Sequence, residues 1–367
     1  MATRVRSYSK INLGLAIGPV RADGFHGLAT LYQTLALHDV VTVEARRLPA
    51  GEPSRISLTT NNAQVPTDAR NTAWKMVERV LAAAGVAAEV AIHIEKALPV
   101  QGGMGAGSAN AAAALIALER ELRLFLPSRL EIAAEVGSDV PLFLLGGAVL
   151  GEGRGEQVSA MPDLAATPCV IAVPEVGVST PQAFRDWDAL QTKEIAARET
   201  SALTSSPQPD RLEELSHAYA SVFRVKPDFE VSLQTELASD TSGIVRGLEA
   251  RGDTRNDLAE GTLLALVRTG IGNDFEQVVF PQYPLLREIK HELMGTSTGS
   301  STTDDPADLS GKAVYAALSG SGSALFGLYR SEADAKAAQQ RVQATGCKAI
   351  LTETLPRQEY WRRMFAE

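Results

Sequence analysis

The segment from Pro99 to Ser108 (PVQGGMGAGS) holds the residues best suited to binding a phosphate group. Its glycines let backbone N–H groups approach an anion closely, and the helix expected after it presents its positive end to the same place. The segment lacks the Gly-Lys-Ser/Thr ending of a P-loop, and its GxGxG spacing lacks the third glycine of a dinucleotide fingerprint. By itself it favours a tight turn, with Ser108 as the N-cap of the helix.

A lysine and an aspartate, Lys10 and Asp139, each stand among apolar residues. Between Val5 and Ile17 the period-two pattern predicts a strand on which Lys10 and Asn12 share a face. A lysine on the buried side of a strand needs an anionic partner, whereas a solvated lysine needs none, and the local pattern leaves both open. Asp139 is a candidate catalytic carboxylate or a turn aspartate. Spacing alone does not bring these two residues together.

Two turns offer further candidate contacts to a ligand. Asp23-Gly-Phe-His26 combines an aromatic ring with an imidazole, which can stack on and hydrogen-bond a planar group, although a plain turn explains it as well. Ser319 to Ser323 (SGSGS) can offer backbone donors to an anion, but its position between two predicted strands favours a hairpin. The other histidines show no metal-ligand spacing and neither cysteine lies in a CxxC pair, so we predict no protein-held metal cage.

Around these motifs the hydrophobic pattern predicts mixed strands and helices, of which the first strands form a β-meander. Strands are expected near 5–17, 28–37, 40–45, 55–60, 89–96, 169–173, 312–318, 324–329 and 349–354. Helices are expected near 71–84, 108–118, 130–136, 181–190 and 331–345. Because no regular βαβ repeat occurs, we predict an α+β fold. The length suggests two domains, and a glycine cluster near 151–155 places them at 1–160 and 161–367.

Composition narrows the class of protein. Hydrophobic residues make up 45% of the chain and charged residues 22%, as in globular proteins that bury a core. The net charge of −9 opposes nucleic-acid binding, so we expect no nucleic-acid partner. The longest uncharged apolar run, Val140 to Leu150, is far shorter than the roughly 20 residues that cross a bilayer, so we expect no membrane span. Two isolated cysteines fit a reducing cytoplasm.

Taken together and in order, these motifs resemble those of the GHMP small-molecule kinases. The segments that carry the resemblance are Ser9–Leu13, Arg21–His26, Pro99–Ala112, Gly137–Phe143, Gly153–Glu156, Asn273–Asp274 and Leu318–Phe326. The resemblance implies a two-domain α+β fold, with an N-terminal domain like domain 2 of ribosomal protein S5, a ferredoxin-like C-terminal domain, and a site in the cleft between them. The DGFH turn and the GSDVP block are similar to the branch that phosphorylates the 2-hydroxyl of a diphosphocytidyl-linked methylerythritol in the non-mevalonate route to isoprenoid precursors.

The resemblance also implies roles for individual residues. Asp139 would take the proton from the acceptor hydroxyl, while Lys10 would hold positive charge near that hydroxyl and the γ-phosphate of ATP. The residues implied to wrap the ATP phosphates are Pro99, Val100, Gln101, Gly102, Gly103, Met104, Gly105, Ala106, Gly107, Ser108 and Ala109. In the acceptor site, His26 and Asn12 are implied to recognise the cytosine, and the rings of Phe25 and Phe184 to flank it, with Thr180 nearby. Mg²⁺ would accompany ATP, with no ligand set assigned.

Several features depart from the pattern of this family. Phe25 stands where tyrosine is usual, and Met104, Ala106 and Ala109 stand where leucine, glycine and serine are usual. The chain is also longer than expected, with the excess placed near 188–258 and in a polar segment, 295–311, predicted to be a mobile loop. Two alternatives stay open: a GHMP kinase acting on another small alcohol, such as homoserine or a mevalonate-type substrate, and a non-catalytic ligand sensor of the same fold. The sequence predicts no oligomeric state.

Overall fold

The computed structural model describes residues 2–49, 51–100, 102–200, 266–267, 270–295 and 311–367. The predicted loop 295–311 and most of the predicted excess at 188–258 lie outside these residues. Within them the chain forms two β-sheets, each covered by helices. No helix in these ranges is long and apolar enough to cross a bilayer. The predicted α+β class is confirmed.

The N-terminal part is built on a six-stranded sheet. Its strands are β1 Thr3–Val20, β2 His26–Arg47, β3 Arg55–Thr60, β4 Ala88–Glu95, β5 Ala148–Glu152 and β6 Gln157–Ala160. The order is β3-β4-β2-β5-β6, with β1 also paired to β2. Strand β3 runs parallel to β4, whereas the other pairs are antiparallel. The predicted β-meander was therefore wrong, because β3 reaches β4 through a helical crossover and does not pair with β2.

Strand β2 is continuous, although its two apolar runs predict two strands. Tyr8 pairs with His38 and Lys10 pairs with Thr34, so two steps along β1 match four steps along β2. Such an irregularity bends a strand and re-aims its side chains without ending the pairing. Lys10 lies directly after it, near the middle of the sheet.

Three helices cover this sheet: α1 Thr72–Ala84, α2 Ala106–Leu122 and α3 Arg129–Val136. The side chain of Asn71 caps α1 by accepting from the backbone N–H of Ala73, and Gly85 ends it in the left-handed conformation. Helix α2 is rich in alanine, and its alanines at 111–114 are buried in the core shared with β1 and β2. Small side chains let the helix lie close to the sheet, which brings its N-terminus near Lys10.

The C-terminal part is built on a four-stranded antiparallel sheet. Its strands are β7 Pro168–Val173, β8 Tyr315–Leu318, β9 Leu325–Leu328 and β10 Lys348–Glu353. Its helices are α4 Thr180–Thr200, α5 Glu276–Gln282, α6 Pro284–Met294 and α7 Glu332–Ala344. The strand order β10-β7-β9-β8, with helices in the first and last connections, is that of a ferredoxin-like domain. Helix α4 runs ten residues beyond the predicted end near 190.

The two parts share elements at their junction. Leu15 and Ile17, at the end of β1, pack into the core of the C-terminal part. Conversely, the last helix, α8 (Arg357–Arg362), places Tyr360 in the core of the N-terminal part. Phe365, after this helix, forms an isolated antiparallel β-bridge with Val5 of β1. The cleft between the parts is thus lined by β1, α4 and the glycine-rich loops. The domain boundary near residue 160 stays a prediction.

Candidate active site

Lys10 and Asp139 meet in the cleft. Lys10 Nζ lies 3.3 Å from Asp139 Oδ2, with the lysine side chain 3% exposed and the aspartate 32% exposed. The other carboxylate oxygen, Oδ1, accepts a hydrogen bond from the hydroxyl of Tyr32 at 3.0 Å. Asp139 lies between α3 and a short 3₁₀ helix, Pro141–Leu144. The fold therefore pairs the buried lysine with an anion, which its position on β1 requires.

A chain of hydrogen bonds fixes the direction of Lys10. Its ammonium donates to Asn12 Oδ1 at 2.6 Å, so the two side chains share a face as the strand pattern predicts. The Asn12 amide in turn donates to Thr30 Oγ1 at 2.7 Å, and that hydroxyl donates to the carbonyl of Gly14. The three side chains are buried, and their polar atoms satisfy one another. The ammonium is held rigidly beside the carboxylate.

The glycine-rich loop lies directly against Lys10. Gly105 has φ +69° and precedes the first residue of α2, so Ser108 lies within the first turn and is not the N-cap. Among the residues that the structure describes, no side chain caps this helix, which leaves the positive charge of its first N–H groups for an anion. A Cβ atom on Gly105 would lie 3.2 Å from Lys10 Cε and 3.0 Å from the Phe143 ring. Only glycine lets the loop approach the lysine this closely.

The Ser319–Ser323 turn closes over the same loop. It joins β8 and β9 as the predicted hairpin, and the Ser319 hydroxyl donates to the carbonyl of Gly103 at 3.0 Å. The backbone N–H of Ala324 donates to the carbonyl of Gly102. A Cβ atom on Gly103, where φ is +77°, would lie 2.0 Å from the Ser319 carbonyl oxygen. The loop and the hairpin therefore pack backbone against backbone.

Asn273 and Asp274, two residues of the family pattern, hold this hairpin to β1. The Asn273 amide donates to the carbonyls of Leu318 and Gly320 at 2.8 and 2.7 Å. Asp274 Oδ2 accepts from the backbone N–H of Ile17 at 2.9 Å. Both residues are buried. Their observed contacts position the hairpin and the end of β1.

The remaining residues of the predicted phosphate loop occupy different surroundings. Pro99 and Val100 are half-buried in the connection from β4 to α2. The side chains of Met104 and Ala109 are buried in hydrophobic cores, so these two residues can serve an anion through their backbones. Gln101 lies outside the described residues. The contribution of each residue to ATP binding stays a prediction.

A buried ion pair missed by sequence reasoning fixes the start of the loop. Lys96 Nζ lies 2.6 Å from Asp39 Oδ2, with exposed side-chain fractions of 4% and 0%. Asp39 Oδ1 accepts from the backbone N–H groups of Ala97 and Leu98 at 2.8 and 2.7 Å. The signal was present in the sequence, since an acidic residue inside an apolar strand needs partners of this kind.

A cavity of about 620 Å³ opens beside the Lys10–Asp139 pair, a volume typical of small-molecule sites. It brings together residues predicted from distant segments: Lys10, Asn12, Phe25, His26, Gly103, Asp139, Thr180 and Phe184. The cavity is also lined by three charged residues that sequence reasoning did not predict: Arg154, Arg185 and Asp188. The cavity thus joins the predicted catalytic pair, the predicted acceptor residues and one edge of the glycine loop.

One end of the cavity is aromatic. The rings of His26 and Phe184 stack in parallel, with centroids 5.0 Å apart. His26 Nδ1 lies 2.9 Å from the carbonyl of Gly18, to which it can only donate, and Nε2 lies 3.1 Å from Asp188 Oδ1. One face of Phe184 is therefore already covered by His26. Whether Phe184 flanks a base stays a prediction.

Phe25 and Thr180 lie at the rim of the cavity. Phe25 is 55% exposed, and the Arg154 guanidinium lies 5.1 Å from its ring centroid. The Thr180 hydroxyl, at the start of α4, lies 2.6 Å from the Ser321 hydroxyl of the hairpin. Thr180 thereby links α4 to the hairpin that packs on the glycine-rich loop.

Comparisons with known proteins agree with this architecture. The family model for the GHMP kinases N terminal domain matches residues 71–147, and the model for GHMP kinases C terminal matches residues 307–347. These two ranges include the glycine loop, Asp139 and the hairpin.

Curated relatives align over most or all of the chain. The 4-diphosphocytidyl-2-C-methyl-D-erythritol kinase of Solibacter usitatus is 32% identical over 99% of this chain and 93% of its own length. The protein of the same name from Rhodococcus jostii is 37% identical over 72% of this chain and 79% of its own.

Solved structures share the fold at lower identity. A crystal structure of 4-(cytidine 5'-diphospho)-2C-methyl-D-erythritol kinase superposes with a TM-score of 0.60 at 23% identity, covering 96% of this chain and 99% of its own. Homoserine kinase from Cytophaga hutchinsonii gives a TM-score of 0.60 at 17% identity, covering 97% and 95%. Matched by both GHMP domain models and aligned along nearly its whole length with a curated relative, this chain belongs to the GHMP kinases, in the family of the 4-diphosphocytidyl-2-C-methyl-D-erythritol kinases.

Proposed function

We propose that this chain transfers the γ-phosphoryl group of ATP to the 2-hydroxyl of 4-diphosphocytidyl-2-C-methyl-D-erythritol, a step in making isoprenoid precursors. Membership of the family makes it a small-molecule kinase with ATP as the phosphoryl donor. Relatives at 32–41% identity carry the name of this activity. The observation that carries the proposal is the Lys10–Asp139 pair, 3.3 Å apart, beside an uncapped glycine-rich helix start.

Asp139 serves as the general base in this reaction. Its carboxylate takes the proton of the 2-hydroxyl as the hydroxyl oxygen forms a bond to the γ-phosphorus. The bond from that phosphorus to the bridging oxygen breaks, and its electron pair leaves with ADP. The carboxylate is 32% exposed at the cavity wall, so an acceptor can reach it.

Lys10 supplies positive charge where negative charge gathers. Its ammonium is buried and already donates to Asn12 and pairs with Asp139, so it is oriented before the substrates arrive. A fixed cation stabilises the transferring group more than a mobile surface lysine, because nothing reorganises during the reaction.

The loop from Gly102 to Ser108 and the start of α2 hold the ATP phosphates through backbone N–H groups. This arrangement suits phosphoryl transfer, which depends mainly on positioning and charge neutralisation. No group of three or more histidine, cysteine, aspartate or glutamate side chains is arranged for a metal within the ranges that the structure covers. Mg²⁺ would accompany ATP and would supply positive charge to the phosphate oxygens.

The aromatic end of the cavity takes the cytosine. Phe25 offers an exposed ring face for stacking, and His26 offers a ring nitrogen now paired with Asp188. One continuous cavity extends from this aromatic end to Asp139, so an elongated acceptor fits the cavity better than a short alcohol does. The cavity and the net charge both favour a small molecule over a nucleic acid as the ligand. We also propose that the protein acts in the cytoplasm.

An acceptor panel tests this proposal. ADP release is measured with 4-diphosphocytidyl-2-C-methyl-D-erythritol, homoserine and mevalonate, each with and without Mg²⁺. We expect turnover only with the cytidyl acceptor and only with Mg²⁺. Turnover of homoserine or mevalonate alone would replace this acceptor by another alcohol. Binding of the cytidyl compound without turnover would favour the ligand-sensor alternative.

A further inference from the structure

Tyr32 contacts the proposed base at Oδ1, whereas Lys10 lies at Oδ2, and the Lys10 ammonium is 5.4 Å from the centroid of the Tyr32 ring. It lies on β2, where it pairs with Asn12 of β1 and with Val149 of β5. The side chain is almost fully buried, and its hydroxyl donates to Asp139 Oδ1 at 3.0 Å. A buried hydroxyl aimed at one oxygen of a half-exposed carboxylate restricts the rotation of that carboxylate.

Two glycines make the slot that holds the Tyr32 ring. A Cβ atom on Gly151, the residue of β5 beside the ring, would lie 2.6 Å from Tyr32 Cε2. A Cβ atom on Gly155 would lie 2.6 Å from the Tyr32 hydroxyl oxygen. Gly155 belongs to the Gly153-Arg-Gly-Glu156 motif, which otherwise has no part in the catalytic pair or the glycine loop. The turn between β5 and β6 is thus shaped around this hydroxyl.

Tyr32 remains a hydrogen-bond donor across the working pH range. Burial, together with the negative charges of Asp139 and Glu156, raises its pKa well above the ordinary value of 10. The hydroxyl therefore stays protonated and donates a hydrogen bond to Asp139 Oδ1. Because Lys10 lies at Oδ2, each oxygen of the carboxylate has one fixed partner.

A carboxylate accepts about four hydrogen bonds, so these two partners leave lone pairs free for an acceptor hydroxyl. We propose that Tyr32 is a positioning residue for the phosphoryl transfer: its hydroxyl holds Asp139 in the orientation in which a free lone pair faces the acceptor. The inference rests on the proposed function of Asp139 as the base. The Tyr32→Phe substitution would remove one hydrogen bond to this carboxylate.

Several other charged groups lie near the Asp139 carboxylate. Lys10 faces it from β1, and Glu156, paired with Arg154 at 3.6 Å, faces the Tyr32 side from the β5–β6 turn. The same cavity is also lined by His26, Arg185 and Asp188. The first turns of α2 carry no charged side chain. Replacing Tyr32 by phenylalanine changes none of these charges, so the variant isolates the hydroxyl.

The test compares Tyr32→Phe with Tyr8→Phe in the full chain. Tyr8 is a matched control, because its buried side chain also donates one hydrogen bond, to the carbonyl of Arg363, away from the cleft. The pH dependence of kcat is measured for wild type and both variants with saturating MgATP and cytidyl acceptor. For Tyr32→Phe we expect kcat to fall about tenfold and the acidic limb of the profile to move to higher pH.

The outcomes separate this inference from the proposed function. Tyr8→Phe is expected to keep the wild-type profile even if its melting temperature falls. If wild type turns over and Tyr32→Phe retains both its kcat and its acidic limb, Tyr32 has no positioning role. A fall in the melting temperature of Tyr32→Phe without a change in the profile would likewise show that its role is structural only. Absence of wild-type turnover would instead overturn the proposed function itself.

Discussion

The ammonium of Lys10 lies 3.3 Å from the carboxylate of Asp139, although one residue belongs to the first strand and the other follows α3. The start of α2 lies beside both residues: a Cβ atom on Gly105 would lie 3.2 Å from Lys10 Cε, and one on Gly137, two residues before Asp139, would lie 4.0 Å from the Ser108 hydroxyl. The alanine-rich sequence of α2 and the glycines before it allow this close packing. The pair is therefore a product of the N-terminal core and not of local sequence.

Replacing Lys10 removes the fixed cation of the site. We expect Lys10→Ala to lower kcat by about 10²-fold or more, because one preorganised charge contributes on that scale. Lys10→Met, which keeps most of the side-chain volume, serves as the matched variant and is expected to show the same loss. Steady-state kinetics beside thermal unfolding separates catalysis from folding. Near-normal turnover of the folded Met variant would contradict the role of Lys10.

Asp139→Asn preserves the shape of the side chain but cannot accept the hydroxyl proton. We expect kcat to fall by about 10²-fold or more with little change in the KM for ATP. The amide can still accept from Tyr32, so the fold should persist. The measurement is initial-rate kinetics on a variant whose circular dichroism matches wild type. A kcat within a few-fold of wild type would show that another group removes the proton.

His26→Ala tests the aromatic end of the cavity. We expect the KM of the cytidyl acceptor to rise about tenfold with kcat nearly unchanged, since the proposed contact is to a group that does not react. His93→Ala is the control, because His93 lies on β4 and contacts Thr59 instead of the cavity. An acceptor KM equal to that of the control would remove His26 from the binding residues.

Gly103→Ala tests the packing of the glycine loop on the hairpin. The added Cβ would meet the Ser319 carbonyl oxygen at 2.0 Å, so the hairpin must move. Gly346→Ala is a matched control, because Gly346 has a similar φ, +83°, but nothing within 4 Å of the added atom. Both substitutions place a side chain at a positive φ, which costs about 1 kcal/mol. Only Gly103→Ala should also raise the KM for ATP. Equal KM values would mean that the loop geometry does not serve ATP.

Glu119 makes stability depend on pH. Burial raises the pKa of this carboxyl above its ordinary value, although Arg129 at 3.3 Å opposes the shift. The folded chain then binds the proton more tightly than the unfolded chain, so the free energy of unfolding falls as pH rises through the native pKa. The side chain of the Glu119→Gln variant cannot titrate, so its free energy of unfolding should lack this pH-dependent contribution. Urea unfolding between about pH 4 and pH 7 measures it, and parallel curves for the two proteins would refute the effect.

The sequence predicts most elements because their patterns are local. The period-two segment around Lys10 and Asn12 predicts a strand face that the structure reproduces. The continuity of β2 was mispredicted, because pairing with β1 and β4 continues across the gap between its two apolar runs. The end of α4 was placed ten residues too early.

The site itself depends on contacts between distant segments. Tyr32 lies inside an apolar strand and has the pattern of a core residue, so only its distance to Asp139 reveals its contact. Asp39 differs, since an acidic residue in an apolar strand signals a need for partners, but the pattern does not identify those partners as Lys96 to Leu98 in the loop after another strand. The meeting of Lys10 with Asp139 followed from family resemblance, because no spacing rule joins a strand to a distant turn.

The position of the transferred phosphate tests the central claim most directly. Wild-type protein is incubated with MgATP and 4-diphosphocytidyl-2-C-methyl-D-erythritol, and the product is examined by ³¹P NMR. We predict one new phosphomonoester resonance, coupled to the methylerythritol carbon at position 2, with the diphosphate signals retained and one ADP formed for each product. ADP formed without a phosphomonoester on the acceptor, or a phosphate at another hydroxyl, would contradict the account.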